Sequence, residues 1–184
     1  PLHNGNITET IWRTKSDNMK RGYQYKYDDL SRITGANYRE NDNLLSGSGK
    51  FETSYSYDKN GNLGDLLRKG SIGTDIDELS YDYATSSNKL TEVEDASGST
   101  EGLHASTNYT YEPNNGNLTK DSFKGITNIE YNYLNLPTKV HFGSTKRIEY
   151  IYTATGSKLE KKVINGGTST TDYAGNYIYE NNTL

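Results

Sequence analysis

The sequence predicts an all-β fold in which tandem antiparallel hairpins form one long, twisted and curved sheet. Three observations support this prediction. Pairs of tyrosines separated by one residue recur along the chain, turn residues such as Asn-Gly follow them, and no segment has helical periodicity. Side chains two positions apart lie on the same face of an extended chain, so each tyrosine pair indicates a half-buried strand.

The composition favours a folded chain and excludes several classes of protein. Seventeen tyrosines compensate for a low content of aliphatic residues, and the net charge is only −4. An acidic pI near 5.4 with scattered Lys and Arg argues against nucleic acid as a partner. The absence of cysteine excludes disulfides. No apolar run approaches the roughly 18 residues of a membrane span, so we expect none.

The repeat is clearest between Tyr55 and Leu63. Tyr55 and Tyr57 share one strand face, and Leu63 begins the returning strand. Asn60-Gly61 is the dipeptide best able to adopt positive φ at both central positions of a tight hairpin turn. Asp58, like Asp28 in an earlier copy, is expected to cap the turn through its side-chain oxygen. One motif therefore encodes one hairpin.

Each copy combines a Tyr-x-Tyr pair with an apolar residue six or seven positions after the second tyrosine. The six full copies are Tyr25/Tyr27 with Ile33, Tyr55/Tyr57 with Leu63, Tyr81/Tyr83 with Leu90, Tyr109/Tyr111 with Leu118, Tyr131/Tyr133 with Val140, and Tyr150/Tyr152 with Leu159. A seventh pair, Tyr177/Tyr179, precedes Leu184, and the turn glycines include Gly61, Gly116 and Gly156.

Residues 1–184 are thus expected to form one array of about seven repeats, cut at both ends and without separate domains. His3-Asn-Gly-Asn-Ile7 matches the second half of a repeat, which indicates a piece of a longer protein. Unpaired strands at the two ends of such an array predict edge-strand self-association.

These motifs resemble the YD repeats of RHS-repeat proteins, in a Bacteroidetes-like form. The resemblance rests on Tyr-Ser-Tyr-Asp-Lys-Asn-Gly-Asn-Leu, on Tyr-Lys-Tyr-Asp-Asp-Leu-Ser-Arg-Ile-Thr-Gly and on the tandem arrangement. It implies a long bacterial protein, secreted or at the cell surface, whose repeats wind into a spiral shell just upstream of a core-associated region. The implied partners are the remainder of that shell and an enclosed C-terminal polypeptide, often a toxin.

The chain departs from the family in two ways. It contains no counterpart of the self-cleaving core-associated segment, so that activity is not expected here. The Asp after the second tyrosine is replaced by Ala84, Glu112, Leu134 and Thr153 in successive copies, which argues against a catalytic role for this position.

No catalytic or metal-binding constellation is evident, so we expect no enzyme activity, no cofactor and no metal. His3, His104 and His141 are far apart in sequence and lack a repeated companion. Asp58–Asn62 resembles the start of a calcium loop, but Leu63 stands where the loop needs Gly, and Lys69 where it needs an acid.

An adhesive or carbohydrate-binding surface is the alternative to a structural role, because aromatic faces stack on sugars. Seventeen tyrosines are too many for one site. Their pairing at a period of two favours same-face contacts between strands, each contributing roughly 0.2–1 kcal/mol.

Overall fold

The computed structural model describes residues 4–42, 44, 49–103 and 105–184. Within these ranges the chain forms fifteen strands, all paired antiparallel, and no helix, which confirms the expected all-β fold of tandem hairpins. The chain divides into two compact units, unit 1 (Pro1–Ser106) and unit 2 (Thr107–Leu184).

Unit 1 is a meander in which each strand pairs with the next along the chain. Its strands are β1 (Glu9–Arg13), β2 (Lys20–Tyr27), β3 (Ile33–Glu40), β4 (Thr53–Tyr57), β5 (Leu63–Lys69), β6 (Asp75–Tyr83) and β7 (Leu90–Asp95).

Unit 2 contains a two-stranded hairpin followed by a six-stranded meander. Its strands are β8 (Thr107–Tyr111), β9 (Leu118–Asp121), β10 (Asn128–Tyr131), β11 (Pro137–Phe142), β12 (Lys146–Tyr152), β13 (Lys158–Ile164), β14 (Thr168–Ala174) and β15 (Tyr177–Glu180).

The cross-strand register places apolar residues on one face of the sheet. Tyr55 lies opposite Leu66, which lies opposite Leu79. Tyr81 on the same strand as Leu79 lies opposite Val93, and both Leu79 and Val93 are buried. Because side chains alternate along a strand, Ser80, between Leu79 and Tyr81, projects from the other face, which also carries Glu94 and Leu67.

The fifth copy is shifted by two residues relative to its prediction. Strand β10 ends at Tyr131, which pairs with Pro137, the first residue of β11. Tyr133 lies in the turn and is 79% exposed, while Val140 lies further along β11, opposite Ile129. The reason is that Asn132 begins the turn in place of Asp, so Ile129 and Tyr131 take the places of the tyrosine pair.

The last two copies also differ from the prediction. Tyr152 pairs with Lys158, not with Leu159, which is unpaired in the register shift and 44% exposed. Tyr177 and Tyr179 lie on the returning strand β15 of the final hairpin, where Tyr177 pairs with Ala174. The incoming strand β14 carries a single tyrosine, so the Tyr-x-Tyr spacing misassigned this hairpin.

Candidate functional site: the repeat junction

A register shift precedes the second tyrosine in six consecutive hairpins. The returning strand contributes the extra residue, which is threonine in four of them: Thr34, Thr91, Thr119 and Thr138. The Thr91 hydroxyl donates to the Asp82 carbonyl at 3.0 Å, and that of Thr138 to the Glu130 carbonyl at 3.2 Å. A bulge of this kind redirects the neighbouring side chain.

The redirected second tyrosine donates a hydrogen bond from its hydroxyl to the preceding repeat. Tyr57 donates to the carbonyl of Ile33 at 2.7 Å, and Tyr83 to that of Leu63 at 3.0 Å. The remaining described bonds of this kind are Tyr27 to Ile7 at 2.8 Å, Tyr131 to Leu118 at 2.7 Å and Tyr152 to Pro137 at 3.0 Å.

The accepting residue is the one that closes the preceding hairpin. Ile33 pairs with Tyr27, and its carbonyl accepts from Tyr57. Leu63 pairs in turn with Tyr57, and its carbonyl accepts from Tyr83. We call this contact, between a second tyrosine and the closing residue of the previous hairpin, the repeat junction. Where it is described, it joins a hairpin to the backbone of the preceding one, independently of the side chain of the accepting residue.

Ile7 accepts from Tyr27 as Ile33 accepts from Tyr57, so Ile7 has the acceptor role of a closing residue. Of the half-repeat expected at residues 3–7, His3 lies outside the described residues, and Ile7 accepts the junction bond. Leu90 and Leu118 hold the closing position opposite Tyr83 and Tyr111 in their hairpins.

The residue after the second tyrosine caps the hairpin turn. One Asp58 oxygen accepts the backbone N–H groups of Asn60 and Asn62, both at 2.8 Å. Asp28 does the same for Leu30 and Arg32, both at 2.9 Å. Asn132 replaces the carboxylate, and its side-chain oxygen accepts from the N–H groups at residues 134 and 136. The structure thus shows the capping expected of Asp28 and Asp58.

The backbone of these turns differs from the expectation at Asn60-Gly61. Only Gly61 has positive φ, at +88°, and its N–H donates to the Asp58 carbonyl at 3.2 Å. This is a three-residue loop closed by one left-handed residue, rather than a two-residue turn with positive φ at both centres. Ser31, Asn135 and Gly156 occupy the same left-handed position in other repeats, and Gly116 does so in a longer turn.

Successive turns also contact one another along one rim. The Arg32 guanidinium donates to the Asp58 carbonyl at 3.2 Å, and the Asn62 amide to the Asn88 side chain at 2.9 Å. In unit 2 the Asn117 amide donates to the Asn135 side chain at 3.0 Å. These bonds supplement the repeat junctions within each unit.

The first tyrosine of each pair serves packing. Tyr25, Tyr55, Tyr81, Tyr109 and Tyr150 are all half-buried. The ring centroids of Tyr150 and Tyr152 lie 6.2 Å apart.

An aromatic cluster in unit 1 was not predicted from the repeats. Tyr23 stacks on Trp12 at 5.9 Å and meets Tyr38 edge-on at 5.4 Å, and Tyr38 meets Phe51 at 5.3 Å. Tyr23 and Tyr38 lie directly opposite each other on β2 and β3. The run Tyr-Gln-Tyr-Lys-Tyr at residues 23–27 is the signal that indicates a third same-face ring on β2.

The residues considered for catalysis or metal binding take part in local contacts. His141 Nε2 lies 2.8 Å from a Glu130 oxygen on the neighbouring strand. His3 and His104 lie outside the described residues. The second Asp58 oxygen accepts from the Asn62 amide at 2.9 Å, so both carboxylate oxygens bind protein donors. In the described ranges no group of three or more His, Cys, Asp or Glu could hold a metal ion.

The turn cap gives a test with a conservative control. We expect Asp58→Ala to lower the stability of unit 1, because the N–H groups of Asn60 and Asn62 lose their acceptor. Asp58→Asn should retain most of the stability, since Asn132 caps its own turn in this way. Denaturation followed by the fluorescence of Trp12, the only tryptophan, measures both variants. Equal losses would contradict capping by the side-chain oxygen.

The capping carboxylates of Asp28 and Asp58 predict that the stability of unit 1 falls in acid. Hydrogen bonding by the Asn62 side chain lowers the pKa of Asp58 below its usual value, and the Arg32 backbone N–H lowers that of Asp28. Their stabilisation is therefore present above the unfolded pKa of about 3.9 and is lost as pH falls through the lower folded values. The Asp58→Asn variant should lose less stability than the unmodified chain as pH falls.

The junction tyrosines predict that stability also falls at alkaline pH. Burial raises the pKa of Tyr57, Tyr83 and Tyr152 above the ordinary value. Their stabilisation is complete below the unfolded pKa of about 10 and is lost as pH rises through the folded values, because a phenolate cannot donate to a carbonyl. Phenolate absorbance and circular dichroism should change together above pH ~10. Titration of these phenols while the sheet persists would refute the coupling.

The fold and the repeat junctions define a class: an open array of tandem antiparallel hairpins joined repeat to repeat. No family model matches the sequence, and no curated protein matches it. Within the described residues, no helix has the length and apolar character needed to cross a membrane.

Solved Tc toxin structures share this fold. The chain is similar to a chain in the crystal structure of TcdB2-TccC3-Cdc42, with a TM-score of 0.54 and 15% identity over 96% of its length. A chain in the TcdB2-TccC3 crystal structure matches with a TM-score of 0.52 and the same identity and coverage. A chain in the structure of the Photorhabdus luminescens Tc holotoxin pore matches with a TM-score of 0.51 and 16% identity over 94% of this chain. The chain spans only 10–11% of the length of these matched chains.

Proposed function

We propose that this chain is a wall segment of an RHS-type, YD-repeat shell, and that the shell keeps an enclosed polypeptide apart from its surroundings. The mechanism is steric, and the segment itself carries no catalytic role. Its partners are the adjoining repeats of the same shell and the enclosed, toxin-like chain. The assembled shell acts outside the cell that makes it, as a secreted or surface-bound protein.

The observation that carries this proposal is the series of repeat junctions. A barrier must hold its strands together along its whole length, and each described junction joins the second tyrosine of one hairpin to the backbone of the one before. The likeness to Tc toxin chains over 96% of this chain supports the same interpretation at the level of the fold.

The contacts of the tyrosines favour a wall over the alternative, an adhesive or carbohydrate-binding surface. A sugar-binding platform needs exposed aromatic faces. The rings of Tyr25, Tyr55 and Tyr57 are half-buried, and the Tyr57 ring is covered by the Arg32 guanidinium, whose carbon lies 4.6 Å from the ring centre.

The test is protection of the enclosed chain from protease. The longer polypeptide that contains this segment is expressed with its C-terminal tail, and digestion of the tail is compared with digestion of the tail expressed alone. We expect the enclosed tail to persist much longer. Digestion of both at the same rate would refute enclosure.

A variant pair relates the protection to this segment. Tyr57→Phe with Tyr83→Phe removes two junction hydrogen bonds and should accelerate digestion of the tail. The matched pair Tyr25→Phe with Tyr55→Phe removes two hydroxyls that make no such bond and should leave digestion unchanged.

A further inference from the structure

Unit 2 contains a hollow of about 480 Å³ at the end of strands β11, β12 and β13. Its apolar lining includes Phe142, Ile148 and Val163, each half-buried. Ile148 and Val163 are cross-strand neighbours, so their side chains lie side by side on one face of the sheet. No strand of unit 2 covers this apolar floor, and its three side chains remain accessible.

Lys124, Lys146 and Arg147 line the hollow, and no acidic residue does. Because side chains alternate along β12, Lys146 lies on the same face as Ile148, whereas the Arg147 side chain projects from the other face. Lys146 lies opposite Phe142, and its ammonium makes no ion pair or hydrogen bond to a described residue. The Lys124 ammonium is 3.8 Å from an Asp121 oxygen, and Arg147 donates to a carboxylate on its own strand at 2.7 Å. The whole chain has a net charge of −4, whereas the charge beside this apolar floor is positive.

We propose that this hollow docks an extended peptide segment in which apolar side chains at alternating positions are flanked by acidic residues. The apolar side chains cover Ile148 and Val163, and a flanking carboxylate pairs with Lys146. The inference rests on the proposed function, since the natural source of the segment is the enclosed polypeptide. It adds the chemistry by which the wall would hold that chain.

The shape of the hollow favours a peptide over a small-molecule carboxylate. Small-molecule sites bury 70–90% of their ligand in an enclosed pocket. This hollow is shallow and open to solvent along the strand ends, so a compact ligand leaves much of its surface exposed. An extended chain instead distributes its contacts, with every second side chain directed to the floor.

The experiment measures the fluorescence anisotropy of labelled Glu-Ser-Leu-Ser-Phe-Ser-Glu, whose Glu, Leu and Phe side chains share one face of an extended chain, titrated with the 184-residue chain. Two comparison peptides carry Lys in place of Glu, or Ser in place of Leu and Phe. We expect saturable binding of the acidic apolar peptide, weakened by salt, and no saturable binding of either comparison peptide.

Protein variants locate the binding. Lys146→Glu should weaken it at least about fivefold, through loss of one ion pair and gain of a like charge. Lys59→Glu makes the same charge change at an exposed turn in unit 1 and should leave the affinity unchanged. Val163→Thr keeps the side-chain shape while making the floor more polar, and should also weaken binding. Circular dichroism checks the fold of each variant.

The proposal is overturned if the acidic peptide does not bind, if the Lys peptide binds equally well, or if Lys146→Glu and Lys59→Glu behave alike. These outcomes are separate from the protease test. If the tail is protected but the peptide does not bind, the wall proposal stands and the docking site is rejected. If the peptide binds but the tail is not protected, the docking site stands and the wall proposal is rejected.

Discussion

Replacement of Gly102 by alanine is expected to destabilise unit 1 by about 2–4 kcal/mol, from the combined cost of backbone strain and displaced hydrogen bonds. Gly102 has φ of +73°, and a Cβ atom built there would lie 2.2 Å from Asp77 Oδ1. That carboxylate is not free to move away. It is 2% exposed, accepts from Arg68 Nε, and accepts the Leu103 N–H at 2.7 Å.

Gly98→Ala is the matched control for this substitution. Gly98 has a similar φ of +66°, but a Cβ there would meet nothing within 4 Å. Both variants therefore carry the left-handed strain of about 1 kcal/mol, and only Gly102→Ala adds the collision with Asp77. Denaturant unfolding followed by Trp12 fluorescence measures the difference. Equal destabilisation by the two variants would contradict the contact between Gly102 and Asp77.

Loss of two repeat junctions in unit 1 is expected to have the second largest effect. Tyr57→Phe with Tyr83→Phe should cost about 2 kcal/mol, since each hydroxyl bond contributes roughly 1 kcal/mol and leaves a half-buried carbonyl without its donor. Tyr57 pairs with Leu63, whose carbonyl accepts from Tyr83, so the two junctions are in contact and the double variant measures their joint loss.

The control is the double variant Tyr25→Phe with Tyr55→Phe. These are the first tyrosines of their pairs, with half-buried rings but no junction hydrogen bond, so stability should change by less than about 0.5 kcal/mol. Trp12 fluorescence reports both variants. If the two doubles lost the same stability, the rings alone would hold the sheet and the junction hydroxyls would contribute little.

The period of the tyrosines predicted the fold class, because alternation at period two is a local property of the extended chain. The repeat junction was not predictable from that period. The Tyr57 hydroxyl that reaches the carbonyl of Ile33 depends on the register shift just before Tyr57, which breaks the alternation that the prediction assumed. A recurring signal was nevertheless present, since threonine follows the closing residue in Ile33-Thr34, Leu90-Thr91 and two further repeats.

The fifth repeat shows why spacing alone misplaced a site residue. Tyr131 and Tyr133 satisfy the Tyr-x-Tyr pattern, yet only Tyr131 makes the junction bond. The turn begins where a side-chain oxygen can accept two backbone N–H groups, and Asn132 provides it. Turn capping therefore fixed the register here, and a motif search that accepts Asn and Thr beside Asp would have found it.

Every strand contact in the described chain joins consecutive strands. Such a molecule behaves as a one-dimensional chain of nearest neighbours, whose free energy is a sum over hairpins and the boundaries between them. Because each described repeat junction uses a backbone carbonyl as acceptor, the adjoining hairpin can change its sequence and keep the contact. Gene duplication or deletion of a whole hairpin would then alter the length of the array without redesigning its contacts.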